Sequence, residues 1–218
     1  MQLKRRTLLS GLAASAAVPF MSAAHAKQAG ADTKWDKETD VLVIGYGGAG
    51  ACAAIEAHDK GSKVLIIEKM AQPGGNTAIS SGGFMVPQDG PTALKYLTAT
   101  YDLANSEKDD ELLNTFCKEI MGVKDWMTGL KEGTELWVYG HAGFQNLPGW
   151  EVIDKYRVRG KKRSGDCLFD LYRYAVEEKR NIPVMLETPA VQLIQKDGQV
   201  VGAVAKNNGK NINIKANK

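Results

Sequence analysis

The run VIGYGGAGACAAIEAHDKGSKVLIIEK, residues 43–69, constrains this chain more than any other part of it. Asp40 to Ile44 is a short apolar run of the kind found in strands buried on both faces, and it leads straight into Gly45-Tyr46-Gly47-Gly48-Ala49-Gly50. From Gly48 to about Lys60 small residues dominate, Ala49, Ala51, Ala53, Ala54 and Ala57 with Ile55 among them, and Gly61 stands where a helix C-cap is expected. Lys63 to Ile67 reads as a second strand, and Glu68 follows it, 23 residues after Gly45. Strand, glycine turn, small-residue helix, strand and acid make a βαβ unit that binds a dinucleotide. The competing reading, a glycine turn in some other α/β protein, explains the glycines but not the acid.

Each part of the unit has a physical task. Gly45 permits the tight turn out of the strand, Gly47 presents no side chain to a pyrophosphate, and Gly50 allows the helix to lie close to the sheet. The helix N-terminus offers unpaired N–H donors and partial positive charge to phosphates, and Glu68 can accept hydrogen bonds from a ribose hydroxyl. These residues suit the adenosine-diphosphate half of FAD or NAD. The next stretch, MAQPGGNTAISSGGFMVP over 70–87, adds a second glycine-rich loop, Gly74-Gly75-Asn76-Thr77, and a third pair, Gly82-Gly83. A nicotinamide domain has no general need for these loops, whereas a flavin lying edge-on against main-chain groups does.

At these residues the chain resembles the FAD-dependent oxidoreductase 2 family. The likeness is to the flavoprotein subunits of the fumarate reductase and succinate dehydrogenase group, particularly soluble periplasmic fumarate reductases and urocanate reductases. Through SSGGFMVP it is also similar to 3-ketosteroid dehydrogenases. The resemblance implies a Rossmann-like α/β FAD-binding domain with a parallel sheet and a β-meander. It implies a cofactor held by Gly45, Gly47, Gly48, Ala49 and Gly50, by Glu68 and Lys69, by Gly75, Asn76, Thr77, Ser81, Gly82 and Gly83, and beside the adenine by Ala190 and Val191. The activity implied is hydride transfer between FAD and the carbon–carbon double bond of a small unsaturated carboxylate. A 3-ketosteroid-type dehydrogenase and a truncated, inactive FAD-binding remnant are the alternatives. The family pattern continues where NINIKANK ends, so the chain is expected to be an N-terminal portion that lacks a cap domain, and no catalytic residue is assigned. With no C-x-x-C-H haem site, electrons are expected from a separate cytochrome c or another carrier.

The opening MQLKRRTLLSGLAASAAVPFMSAAHA reads as a signal peptide over residues 1–26: a basic start, an apolar middle and Ala24-His25-Ala26. Arg5-Arg6 followed by Thr7, Leu8 and Leu9 resembles the twin-arginine export pattern, which delivers folded, cofactor-loaded proteins to the periplasm. The apolar run is short for a membrane span and is interrupted by Ser10, Gly11, Ser15, Pro19 and Ser22. Residues 27–38 read as a patternless flexible leader and 39–218 as the FAD-binding domain. The signal holds three of the 28 basic residues and none of the 25 acidic ones, leaving 25 of each sign, so charge gives no argument for nucleic acid or for an anionic membrane. Cys52, Cys117 and Cys167 are widely spaced and read as small core residues, and no metal-ligand spacing occurs.

Helices are predicted over about 92–104, 109–130 and 167–178, the second with a core-facing stripe of Leu112, Leu113, Phe116, Ile120, Val123, Trp126 and Met127. Strands are predicted at 184–186, 191–194, 200–204 and 212–214, with Lys196-Asp197-Gly198 and Asn208-Gly209 turning between them. Gly133 to Gly165 reads as a long irregular loop of the kind that serves function, with His141 more readily structural than catalytic. His58 complements a helix C-terminus, and Lys161-Lys162-Arg163 reads as a solvated face.

Overall fold

The computed structural model describes residues 27–28 and 33–218; the signal expected over 1–26 lies outside them. Elements run β1 (Lys27–Gln28), β2 (Lys37–Thr39), β3 (Val41–Ile44), α1 (Gly48–Asp59), β4 (Val64–Ile67), α2 (Gly75–Ile79), β5 (Phe84–Pro87), α3 (Gly90–Leu103), α4 (Asp110–Glu119) and α5 (Val123–Leu130). They continue with β6 (Leu136–His141), β7 (Ile153–Val158), α6 (Ser164–Arg173), β8 (Val184–Met185), β9 (Ala190–Lys196), β10 (Gln199–Asn207) and β11 (Lys210–Ala216).

The centre is a parallel sheet in the order β3-β4-β8, with Val41 opposite Val64 and Ile66 opposite Val184. All four residues of β4 are buried, and the strand's period of two divides them. Val64 and Ile66 join Ala51, Ala54 and Ile55 of α1 and Leu168 and Leu171 of α6 in one core, while Leu65 and Ile67 meet Ala205 and Ile214 in another. The parallel sheet is therefore the middle of three layers, helices on one face and the meander β9-β10-β11 on the other. That double burial explains why β4 reads as a continuous apolar run in the sequence.

The meander extends at both edges into a five-stranded sheet, β1-β9-β10-β11-β2. The residues read as a leader thus end in ordered structure: Lys37–Thr39 pairs in parallel with Ile214–Ala216, and Trp35 lies against Gly202. Asn213 donates its backbone N–H to Asp36 Oδ2 at 2.8 Å. None of this shows as periodicity, because a three-residue strand is too short to display any.

Two further expectations are corrected. The single helix over 109–130 is broken by a 3₁₀ turn at Ile120–Gly122, next to a glycine that weakens helix interiors. The buried face of α4 is also narrower than the stripe: Leu113 and Cys117 are buried while Leu112 and Phe116 are 64% and 44% exposed, and beyond the break Met127 and Leu130 are buried. The long loop over 133–165 contains two strands: β7 pairs antiparallel with both β5 and β6, with a bulge between Val138 and Gly140. Its aromatic and β-branched content, Trp137-Val138-Tyr139 and Ile153 to Val158, is the strand signal that was present, and the missing alternation is what hid it. Ala93, Tyr96, Cys117, Ala142 and Ile153 form a small separate core where this sheet meets α3 and α4. The predicted helix over 167–178 is α6, extended through Glu178 by a widened π turn in which the Lys179 N–H reaches Tyr174 O at 2.9 Å.

Candidate functional site

The glycine turn between β3 and α1 is held open by its own backbone. Gly45 has φ +103°, and a Cβ built there would meet no atom within 4 Å; one built at Gly47 would meet only the Gly74 carbonyl, at 3.7 Å. Gly50 differs, since a Cβ there would overlap the Gly45 carbonyl and press on Val43. Gly45 and Gly47 therefore face free space, and Gly50 is required by contact between helix and turn. The N-cap residue, Gly47, has no side chain to cap α1 and no acid lies in the first turn, so apart from the Gly48 N–H the positive end is open to an external anion.

The second glycine loop is bound directly to the first. Gly74 donates its N–H to Tyr46 O at 2.7 Å, Gly47 and Gly74 form a parallel bridge, and Gly48 donates its N–H to Thr77 Oγ1 at 3.0 Å. Gly74 and Gly75 have φ +116° and +48°, both in the positive-φ region that favours glycine, the first of them well beyond what the described non-glycine residues adopt. The third loop continues the same surface. Ser80 Oγ donates to Thr77 O at 2.8 Å and accepts from the Gly82 N–H at 2.9 Å, and Gly82 lies against the backbone of Ser164 and Gly165. The Tyr139 hydroxyl covers Gly83, where any Cβ would overlap it.

Glu68, at the end of β4, is 8% exposed. Its Oε2 accepts the Tyr46 N–H at 2.7 Å and its Oε1 the Met70 N–H at 2.9 Å. Its backbone is held as well: the Glu68 N–H reaches Met185 O at 2.9 Å, and the Thr188 N–H reaches Glu68 O at 2.8 Å. The carboxylate thus fastens the glycine turn to the strand tip, a task sequence reading did not assign to it. Each oxygen keeps a further acceptor direction, so a ribose hydroxyl can still be met. Lys69, Gly75, Asn76, Ser81 and Gly83 are exposed around this point, as is Ala49. Ala190 and Val191 begin β9 just after the Thr188 contact, with Val191 exposed.

Sequence reading missed three supporting roles, one of them at Thr188, which it places only at the start of the segment beside the adenine. Tyr46, an unconstrained position of the motif, is fully buried, stands edge-on to Phe169 with ring centres 5.3 Å apart, and has its pKa pushed up chiefly by burial. Thr188 is fully buried, donates to Leu186 O at 2.7 Å and accepts from Asn207 Nδ2 at 2.8 Å, anchoring the corner before β9. Gly165 lies so close to the carbonyls of Thr77, Ala78 and Ser80 that a Cβ would overlap all three. His141 does acquire a partner, Asp154 at 3.1 Å. Cys117 and Cys167 are buried and Cys52 is half-buried, and all three are free. No helix among the described residues is long and apolar enough to cross a membrane.

The residues fit FAD on these observations: an uncovered backbone cradle at a helix N-terminus with no acid in its first turn, an acid at the neighbouring strand tip, and two further glycine loops contiguous with the cradle. Comparison with known proteins agrees. The family model described as FAD binding domain matches residues 40–218. The chain is 32% identical over 177 residues to a fumarate reductase (cytochrome) of Shewanella frigidimarina, covering 77% of this chain and 29% of the relative. It is 31% identical over 180 residues to a urocanate reductase of Eggerthella lenta, covering 78% and 28% respectively. Among solved structures, a 3-ketosteroid-Δ4-(5α)-dehydrogenase from Rhodococcus jostii superposes with TM-score 0.73 at 23% identity, over 88% of this chain and 47% of that one. A flavocytochrome c3 fumarate reductase in an open conformation gives 0.70 at 24%, over 84% and 33%. These two likenesses show the fold. The chain spans less than a third of the length of the curated relatives it matches.

Proposed function

From the chain's membership of the FAD binding domain family, with FAD as its cofactor, we propose that it forms the flavin-holding part of an oxidoreductase that reduces the carbon–carbon double bond of a small unsaturated carboxylate. The observation that carries this reading is the joining of the three glycine loops into one surface, the first to the second through the Gly74–Tyr46 and Gly48–Thr77 hydrogen bonds and the second to the third through Ser80, which bonds Thr77 O and the Gly82 N–H. One dinucleotide turn alone would serve any ADP-containing cofactor; three contiguous loops suit a ligand with an extended ring system beyond its phosphates. Gly45, Gly47 and the first turn of α1 bind the pyrophosphate, Glu68 the ribose, and Asn76 to Gly83 the ring system. When bound, FAD supplies hydride exchange with a carbon centre. The chain's own contribution is orientation and positive potential at the helix end. The fumarate and urocanate reductases among its relatives support the enoate assignment.

The same reading includes export through Arg5-Arg6 after the flavin is loaded, and electron supply from a separate carrier. Cell fractionation of an Arg5→Lys, Arg6→Lys double variant is expected to find uncut precursor in the cytoplasm, and normal delivery would refute twin-arginine export. For the reaction itself, the protein purified from its native host should carry FAD and, with a reduced viologen dye as donor, consume fumarate, urocanate or acrylate. Bound FAD with turnover of a steroid enone and of no enoate would replace this reading by the steroid-type one.

A further inference from the structure

Among the described residues, four arginines hold carboxylates: Arg159 holds Glu135 at 3.2 Å, Arg163 Asp166 at 2.8 Å, Arg173 Glu177 at 3.3 Å and Arg180 Asp59 at 2.6 Å. Arg157, in β7, holds none. Its guanidinium carbon lies 3.9 Å from the centre of the Tyr139 ring and 6.0 Å from that of Trp137. Its Nε is buried without a hydrogen-bond partner. Aromatic faces attract a cation and hold its plane, but they leave its in-plane N–H donors unanswered. Buried donors are normally paired, and an unpaired charged one is a site awaiting an acceptor.

The location of this arginine gives the acceptor its chemistry. Arg157 is opposite Trp137 in the β6–β7 register, and the Tyr139 hydroxyl that it stacks beside covers Gly83. The neighbouring Tyr156 pairs with Phe84 and stacks on it with ring centres 6.1 Å apart. The cation therefore stands one side chain away from the Ser81–Gly83 loop. Its own face adds positive charge through Lys155, two residues earlier on β7. The acid on this strand, Asp154, falls on the opposite face by strand alternation and is engaged by His141, Gln88 and Tyr156. Arg157, Tyr139 and Trp137 are each half-buried as whole residues, with the Arg157 Nε itself out of solvent.

We propose that Arg157, held flat by Tyr139 and Trp137, binds a carboxylate of the compound that is reduced at the flavin and so selects acids over neutral enones. This rests on the enoate reading above. A planar fork that offers two parallel N–H donors matches a carboxylate, and a lysine at the same place would supply charge without that match.

The flavin-loaded protein, with its arginines labelled at Nε, is titrated with succinate, a saturated dicarboxylate that cannot be reduced. The Arg157 Nε–H resonance, identified by its absence in Arg157→Lys, should shift saturably; a resonance that stays still through millimolar succinate overturns the proposal. In turnover, Arg157→Lys should raise KM for an enoate roughly 10- to 100-fold, with kcat within about threefold and flavin content unchanged. Its KM for a neutral enone should not move. An unchanged enoate KM, or an equal rise for both substrate types, also overturns it. Should the wild-type protein reduce no enoate at all, the functional reading fails, while the succinate titration still decides whether Arg157 binds carboxylate.

Discussion

Gly47 and Gly50 are three residues apart in one motif and carry different burdens. A side chain at Gly50 would enter the Gly45 carbonyl, so Gly50→Ala should damage folding itself. At Gly47 the nearest atom to a new Cβ is 3.7 Å away, so Gly47→Val should abolish visible flavin absorbance while leaving the urea midpoint close to that of the flavin-free wild type. Comparable loss of stability in both variants would contradict this division. Glu68 carries two burdens at once. Glu68→Gln keeps its size but turns an NH₂ toward one of the two backbone N–H groups that the carboxylate accepts. That leaves a buried donor unmade, and the expected cost is about 1–3 kcal/mol, read by urea unfolding, together with lower flavin content after gel filtration. The glycines and the acid were legible as a motif. The bonds from Glu68 to Tyr46 and Met70 were not, because they depend on where the end of β4 meets the turn.

At the scale of elements, α1 is tied at its end as well as at its beginning. Arg180, beyond the π turn that follows α6, donates Nε and Nη2 to Asp59 at 2.7 and 2.6 Å and Nη1 to Ala175 O at 3.0 Å. The Arg180 hydrogen bond is the main cause of a lowered Asp59 pKa. A carboxyl with a folded-state pKa below its unfolded value stabilises the fold above the unfolded pKa, and that stabilisation is lost as pH falls through the folded one. Asp59 is partly exposed, so solvent screening holds the contribution to about 1 kcal/mol or less. Asp59→Asn should therefore lower the urea midpoint at neutral pH, and the gap to wild type should close as the pH is taken down through the acid range. A gap independent of pH would show that packing, not charge, joins these elements. The longer helices were legible from their spacing, except that one became two at Ile120–Gly122, while the short helix Gly75–Ile79 read only as a glycine loop.

The whole molecule depends on the parallel sheet being covered twice. Ile214 of β11 is fully buried against Leu65 and Ile67, in the core that fastens the meander to the sheet. Ile214→Ala should cost about 2–5 kcal/mol, measured by urea unfolding. A loss below about 1 kcal/mol would mean that the meander contributes little to the domain's stability. The same layer fixes the corner at Thr188, whose N–H reaches the Glu68 carbonyl, so the segment expected beside the adenine is positioned by packing on the far face of the sheet.

The order strand, glycine turn, helix, strand, acid was determined by the sequence, because each step is local: apolar runs of strand length, φ values open only to glycine, small residues at helical spacing. The four meander and sheet strands from Val184 onward were legible for the same reason, with Asp197-Gly198 and Asn208-Gly209 marking the turns. Only the tertiary structure decided that residues 153–158 pair on one side with β5 and on the other with residues 136–141, that Lys37–Thr39 closes the meander's edge, and that Tyr46 and Thr188 are buried. It also decided that Arg157 stacks on Tyr139 beside Trp137 instead of pairing with a carboxylate. Those facts arise between residues far apart in the chain, where register and layer contact choose the neighbours and no short-range periodicity records the choice.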